Sequence, residues 1–556
     1  MTFIAHGLRA LVCLGVGCRL LAAAATPSGS VPRETFEQWL EPGRVTELEL
    51  VLSPAAMDAL QTNPRKDQSA QVWMKGALLG EVSLHLKGRG SFQPLSAKPN
   101  LTLTARDAEP ARSSRGLCWK LHLQNSSEDA SLLNEWLGAA MARTARLPAP
   151  RIAHARVRLN RRDLGFYVVR EGFTASLLNQ AKAGAPSDGT LWEPVDGADV
   201  DGTFQPHTIG SGDRNSKSAM HPHPRTVAVA AREPDLNTRW TQLGERLDVD
   251  AFARLLALEV LLGHWDGYGL RHNNYRLWQE TGADRFQMIP IGMDQLLAHP
   301  ELTSNPTMNG LLARSFLETP SGRRSYQQAF DELRLRAFDP VKLTALVREQ
   351  AQRIEPGMGR AVRAEFRAAV KVLCERIAAR AASLEQQRSA ATPPLAPMVL
   401  QPNTAAPLTT VWRPTLGSEA TGRLSRQAWS GVNAIVIQMH RPGAASWETH
   451  VGLGPGRYEI EARARVQDVV PLKYGRNQGA RLRVVGLAAN SDALQESEGS
   501  QPVRCEFDSS GTTPVTLVWE LRAERGEAWL DVDSIQVKCL STNPVRSAVP
   551  ADASPR

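Results

Sequence analysis

The stretch Gly263-His-Trp-Asp-Gly-Tyr-Gly-Leu-Arg-His-Asn-Asn-Tyr-Arg-Leu-Trp278, followed by Arg285-Phe-Gln-Met-Ile-Pro-Ile-Gly-Met-Asp294, decides how this chain is read. Upstream, Phe252, Leu255, Leu256, Leu258, Val260, Leu261 and Leu262 make an apolar helix pattern that runs straight into it. Asp266 is therefore expected where a rigid element ends and a loop begins. Asn273 and Asn274 follow, and two strand-like runs at 275–278 and 286–289, joined by a turn at 280–284, deliver Asp294 into the next turn. A loop Asp, an Asn, a hairpin and a second Asp is the order in which protein kinases present a catalytic base and two metal ligands. The order matches and the spacing does not, since a kinase loop sets its Asn five positions after the Asp and closes the later tripeptide with Gly. The plain alternative is that Asp266 caps a turn and Asp294 starts a loop.

A chain of 556 residues exceeds one ordinary domain. Hydrophobic residues at 42% and charged residues at 22% describe a soluble globular protein with ample length for a core. The net charge of +8 comes from Arg residues spread among acids and apolar residues, which argues against a nucleic-acid stripe. Residues 1–25 read as a secretory signal peptide: His6 and Arg9, an apolar run over 10–18, then an Ala-rich exit with cleavage after Ala25. Arg19 interrupts that run; the alternative is a lipoprotein signal on Cys18, where Gly15 stands in place of the preferred large aliphatic residue. No later stretch has about eighteen uninterrupted apolar residues, so no membrane span is expected and the protein is read as secreted or at the cell surface. Four cysteines remain beyond the signal, none in a C-x-x-C pair, which argues against structural zinc. Cys505 and Cys539 fall in one β region and read either as a disulfide or as buried free thiols.

After a linker over 26–44, alternation predicts strands at 45–52, 70–74, 81–86, 101–104 and 120–124, with a short helix at 54–60. Between two of these strands, Leu86-Lys-Gly-Arg-Gly-Ser-Phe-Gln93 puts Gly88, Arg89, Gly90 and Ser91 in a turn whose glycines let backbone N–H groups approach a ligand. Lys98 is placed to reach over the same ligand. Asp129 or Ser131 caps the next helix, whose Leu132, Leu133, Trp136, Leu137, Ala140 and Met141 face a core. Glu135 beside that stripe reads equally as a partner of Lys98 or as an exposed helix acid. Pro148 and Pro150 end the helix, strands at 154–159 and 166–170 follow, and Glu171-Gly172 is the natural hinge between two lobes. Residues 196–234 read as an exposed insertion; its His207, His221 and His223 lack the spacing of a metal site. Helices are expected at 326–336, 340–352 and 358–387, then a Pro-rich linker over 389–410. Over 411–540, alternating runs at 434–439, 456–466, 480–485, 514–520 and 528–537 predict a β-sandwich, and 541–556 reads as a disordered tail.

Together these residues resemble the spore-coat-protein-H (CotH) kinase family over about 45–388. The resemblance is carried by Leu86-Lys-Gly-Arg-Gly-Ser91, Lys120-Leu-His-Leu-Gln-Asn125 leading to the Glu135 helix, Leu147-Pro-Ala-Pro-Arg151, Leu164-Gly-Phe-Tyr-Val-Val-Arg-Glu171, His264-Trp-Asp-Gly-Tyr268 with Asn273-Asn-Tyr275, and Ile289-Pro-Ile-Gly-Met-Asp294. It implies an α+β, atypical protein-kinase-like two-lobed domain that phosphorylates Ser or Thr of proteins, itself included as a candidate acceptor, with ATP and Mg²⁺, Mn²⁺ being the other candidate metal. On that resemblance Asp266 is the base and Asn273 or Asn274 holds metal with Asp294. Lys98 neutralises the phosphates, the Gly88 to Ser91 turn covers them, and Glu135 and Glu171 belong to the cofactor side. Many relatives have Trp-Asp-x-Asp after the proline, whereas Ile291 and Gly292 leave Asp294 as the only acid here. The C-terminal unit looks like the galactose-binding-like jelly rolls appended to extracellular enzymes, which implies a surface polysaccharide as partner and Trp447, Trp519 and Trp529 as a sugar platform. Strand alternation assigns Trp519 and Trp529 to the core instead. The competing reading is a catalytically silent surface-binding or structural module.

Overall fold

The computed structural model describes residues 31–542 apart from 32, 42, 89, 107–117, 179–187, 210–222, 234, 307, 390–396, 416–420, 430, 473–477, 486–489 and 512–513. The signal-peptide expectation, Arg89, His221 and the tail beyond Thr542 therefore lie outside the described residues, while Ser541, read as the first residue of the tail, ends a strand.

Seven strands close into a barrel: β1 (Val45–Val51), β2 (Gln68–Met74), β3 (Ala77–Lys87), β4 (Asn100–Arg106), β5 (Cys118–Gln124), β6 (Ile152–Leu159) and β7 (Arg162–Glu171). Their spatial order is β1-β2-β3-β4-β5-β7-β6, with β6 returning alongside β1 in parallel. Period-two alternation turns Leu84, Leu86, Leu101, Leu103, Leu121, Leu123, Tyr167 and Val169 into the barrel core. The intervening His85, Lys87, His122, Gln124 and Arg170 go to the outer face. The expected linker over 26–44 belongs partly to this unit, because Trp39 and Leu40 are buried in the same core.

Helix Asn134–Thr144 lies against the outer face, its Leu137 and Met141 sharing a core with Ile152, Phe166 and Val168. Gly138 permits a close approach: a Cβ there would come 2.8 Å from Met293. The second sheet has the order β11-β10-β8-β9, from β8 (Gly189–Pro194), β9 (Phe204–Ile209), β10 (Tyr275–Glu280) and β11 (Phe286–Pro290). Stretch 196–234 is thus more than an exposed insertion. It supplies β9, which pairs along β8, and helix Arg225–Ala231, whose Val227, Ala228, Ala230 and Ala231 are buried. Helix Val249–Leu261 runs through the middle of the helical core, and helices Pro320–Arg336, Pro340–Ile354 and Arg360–Ser389 complete it. Among the described residues no helix is long and apolar enough to cross a membrane.

From Ala405 onward the described chain forms a six-stranded and a four-stranded sheet around one core. Strands Gly422–Trp429, Gly443–Val451 and Gln501–Ser510, absent from the sequence reading, complete them. Trp447 and Trp519 are buried in that core, and Trp529 lies under the Arg465 guanidinium at 4.3 Å, so none of the three presents an open platform. Cys505 and Cys539 are buried free thiols. Strand Pro455–Val470 runs between them, pairing Ile460 with Cys505 and Tyr458 with Cys539, and two interstrand spacings of about 10 Å exceed what a disulfide spans.

Candidate functional site

Two clusters of polar residues flank the segment 291–294 that follows β11, Asn274 lying against Gly292 and Asn134 bonding the Asp294 carbonyl. The first is built on the end of helix Val249–Leu261. Gly263, in the left-handed region at φ 57, stops the helix. Buried Arg380 donates to the carbonyls of Val260 at 2.7 Å and Leu261 at 3.1 Å, binding a cation to the helix C-terminus. The chain then turns through His264, whose Nε2 lies 3.3 Å from the Ile291 carbonyl and whose pKa burial pushes down to about 4. Asp266 follows. Its carboxylate accepts from Asn273 Nδ2 at 3.1 and 3.2 Å and from Asn274 Nδ2 at 2.8 Å. Burial raises its pKa, opposed by the Asn273 hydrogen bond and the nearby Arg271. Beneath the loop, buried Glu259 accepts from the N–H of Tyr268 at 2.9 Å and Gly269 at 2.8 Å. Burial raises that carboxyl to about 7.

The second cluster gathers residues from distant parts of the chain. Asn134 Nδ2 donates to the Asp294 carbonyl at 2.8 Å, fixing the helix start to the turn after β11. One residue on, Glu135 is buried, faces Arg170 Nη1 at 3.8 Å and accepts from Gln124. Lys87, at the last position of β3, reaches Gln124 Oε1 at 3.5 Å. Burial and the charge of Arg170 hold the Lys87 amine well below the usual lysine range, against the pull of Glu135 and Asp294. Arg276 of β10, hydrogen-bonded to Glu193, adds a third cation to this field. Asp294 is pushed up to about 7, first by burial and then by the charges of Glu135 and Asp129.

Lys98, the sequence candidate for the phosphate-binding amine, is elsewhere engaged. Its Nζ donates to the Asn125 carbonyl at 3.0 Å and lies 5.0 Å from the Tyr167 ring centre. The expected Lys98–Glu135 pair does not form, nor is Glu135 an exposed acid; the lysine in its field is Lys87. The physical reason is chain direction, because Lys98 sits in the 88–99 connection, which folds back on Asn125. Glu171 is likewise committed, holding Arg151 through the side chain at 2.7 and 3.0 Å and through the backbone N–H at 3.0 Å. In the glycine turn, Gly88 has φ 106 and its carbonyl accepts from Arg65. Ser91 is tied to Asn100 at 3.0 Å and Asn125 at 3.1 Å, and Gly90 is exposed. His207 pairs with Glu193 at 3.3 Å and His223 packs edge-on to Trp192.

Sequence reasoning missed Lys87, Arg170 and Arg276. For Lys87 and Arg276 the signal was present, since each is a cation next to apolar residues inside a strand, a pattern that points a charge toward something other than the core; Arg170 follows the unbroken run Phe166 to Val169 and carries no such signal.

The departure at Gly292 is built into the backbone. Gly292 has φ 61, and a Cβ there would overlap Asn274 Oδ1. Ile291 N–H donates to the Asn274 carbonyl at 2.9 Å, so Asn274 is locked between the hairpin end and Asp266. Among the described residues no three His, Cys, Asp or Glu side chains converge as a metal cage. Asp294 nonetheless suits a divalent cation shared with phosphates: a buried carboxylate repelled by two others gains from one, and Mg²⁺ bound to phosphate needs only one or two carboxylates.

The family model described as CotH kinase protein matches residues 86–384, more than half of the chain. The chain belongs to the CotH kinase family. Both clusters of this CotH family member lie within the matched residues. Among curated proteins none matches. Solved structures with some likeness include a sugar binding protein from Bacteroides thetaiotaomicron VPI-5482, at 9% identity over 27% of this chain and 95% of that one, with a TM-score of 0.18. A second is a CBM4 structure at 13% identity, 23% and 86% coverage and a TM-score of 0.17. A third is the CBM22-1 xylan-binding domain of Paenibacillus barcinonensis Xyn10C, at 9% identity, 26% and 98% coverage and a TM-score of 0.18.

Proposed function

We propose that this CotH family member is an exported protein kinase that moves the γ-phosphate of ATP to Ser or Thr hydroxyls of extracytoplasmic or surface proteins, itself among them. The barrel and the second sheet act as the two lobes of a kinase-like fold, with the nucleotide between them. The observation that carries this reading is the meeting of Lys87, Glu135 and Asp294 around Gln124 and Asn134, reached from the same hairpin that locks Asp266.

In this mechanism Asp266 orients the acceptor hydroxyl and takes its proton as the Oγ–P bond forms and the bond to the β–γ bridging oxygen breaks, releasing ADP. The two Asn amides keep the carboxylate aimed. Lys87, with Arg170 and Arg276 behind it, neutralises phosphate charge in a partly desolvated place where a cation counts for more than in water. Mg²⁺ or Mn²⁺, when bound, adds charge neutralisation across the phosphates. Asp294 would hold it together with Asn273, since Asn274 is engaged at Gly292. Asp294 binds metal only when ionised, so metal affinity rises as pH climbs through about 7.

Incubation of the protein with γ-labelled ATP and Mg²⁺ or Mn²⁺ should label the protein or a Ser-rich peptide, and chelation should stop it. Absence of label together with absence of nucleotide binding would favour the catalytically silent surface-binding module, for which the missing acid at position 292 speaks.

A further inference from the structure

The C-terminal sandwich is joined through Asn309 to the turn that follows Asp266. Along strand Gly479–Val484, Ala480, Leu482 and Val484 enter the sandwich core, which turns Arg481 and Arg483 to the other face. Along strand Val515–Ala523, Leu517, Trp519 and Leu521 do the same, leaving Glu520 and Arg522 on that face. An outer sheet face of such polarity is normally wet, yet Glu520 is 1% and Arg522 0% exposed. The cover is the kinase-like part: Arg314 of helix Leu311–Glu318 acts on the charge of both Glu520 and Arg481. Glu520 pairs with Arg483 at 3.2 Å.

Continuous hydrogen bonds lead on from there. Arg522 Nη2 donates to the Asn309 carbonyl at 3.2 Å. Asn309 donates from its backbone N–H to the Gly269 carbonyl at 2.8 Å and from Nδ2 to the Leu270 carbonyl at 2.7 Å. Gly310 N–H adds a bond to the Gly269 carbonyl at 3.2 Å, and a Cβ on Gly310 would come 2.8 Å from the Tyr268 carbonyl. The other side of the same turn is held by Glu259. The 268–270 turn therefore sits between a buried carboxylate and a strap whose outer anchor is an arginine of the sandwich.

We propose that the sandwich is an intramolecular brace for the catalytic loop: its four-stranded sheet docks on helix Leu311–Glu318, and Arg522 is a positioning residue that acts on Asp266 through Asn309. The kinetic part of this inference rests on Asp266 being the base; the brace itself does not. It also leaves that sheet face closed to an external ligand, so a polysaccharide would have to use another surface of the sandwich.

Hydrogen exchange of the full-length protein tests this. Arg522→Gln should raise amide exchange at 268–270 and 309–311 by about 10-fold, the loss of one hydrogen bond from a charged donor, while strands Val432–Met439 and Pro455–Val470 keep wild-type protection. Where transfer is measurable, kcat should fall with KM for ATP unchanged. Arg522→Lys, which keeps the charge with a different reach, should show a smaller rise and carries the test if the Gln variant does not fold. Wild-type exchange at 268–270 in a folded Arg522 variant overturns the brace, as does fast exchange of helix Leu311–Glu318 in the wild type. Absence of phosphate transfer in a protein that still shows the exchange difference overturns the kinase reading and spares the brace.

Discussion

The Asp266 cluster and the Asp294 cluster are neighbours built on opposite principles. Around Asp266 the partners are neutral amides from the same short stretch, Asn273 and Asn274, and the geometry is local. Around Asp294 the partners are charges delivered by β3, β7, β10 and helix Asn134–Thr144, and the geometry exists only once barrel and sheet have met. The comparison teaches that the first cluster is suited to aiming one carboxylate, and the second to handling a highly charged ligand whose binding changes the charge balance.

The sharpest way to break this contrast is to exchange the lysines. Lys87→Ala should weaken Mg-ATP binding by about 100-fold, the loss of a partly desolvated charge contact, whereas Lys98→Ala should leave affinity within about 2-fold. Lys98→Ala should instead cost about 1 kcal/mol of stability from its bond to Asn125; calorimetry and denaturant unfolding separate the two.

Restoring an acid at position 292 tests whether the Asn274 lock is real. Gly292→Asp must place a side chain at φ 61 and displace the Asn274 carboxamide, so it should destabilise by about 2 kcal/mol without increasing metal affinity. Thermal unfolding with and without Mn²⁺ reads both quantities.

Titration sharpens the charged side. Asp294 holds its proton to about 7 in the folded protein against an ordinary value of 3.8, so the folded state binds more protons between those values. Stability contributed by this group is present below about pH 4 and is lost as pH rises toward 7. Asp294→Asn should remove that slope, gaining up to about 4 kcal/mol on wild type at pH 8 and nothing at pH 4. Glu259, raised for the same reason, adds a parallel slope that remains in the variant.

The same contrast explains what was legible in the sequence. Helix Val249–Leu261 and the hairpin after the Asp266 loop are short-range, and periodicity plus turn chemistry reveal them, whereas the bonds from Asn273 and Asn274 to Asp266 depend on how the loop turns back and are visible only in the structure. The barrel strands were legible because one face of each is apolar. Its closure through the parallel β1–β6 pairing was not, since alternation carries no information on which strand lies beside which. Lys98 reads as the phosphate amine, and Lys87 goes unread, because reach along the chain is visible in a sequence and the direction of a connection is not. The pairing of β8 with β9 has no sequence signal because β9 lies inside a His-, Pro- and Gly-rich stretch without strand alternation. The strap from Arg522 to Asn309 joins residues 213 positions apart and leaves no local trace.

The central claim is that Asp266 performs a chemical step for which the charged cluster supplies the ligand. Single-turnover transfer from γ-labelled ATP, measured beside Mg-ATP affinity in wild type and Asp266→Asn, tests it most directly. The account predicts a fall in the transfer rate of about 1,000-fold with affinity unchanged. Transfer at the wild-type rate in Asp266→Asn, or loss of rate explained wholly by lost binding, would contradict it.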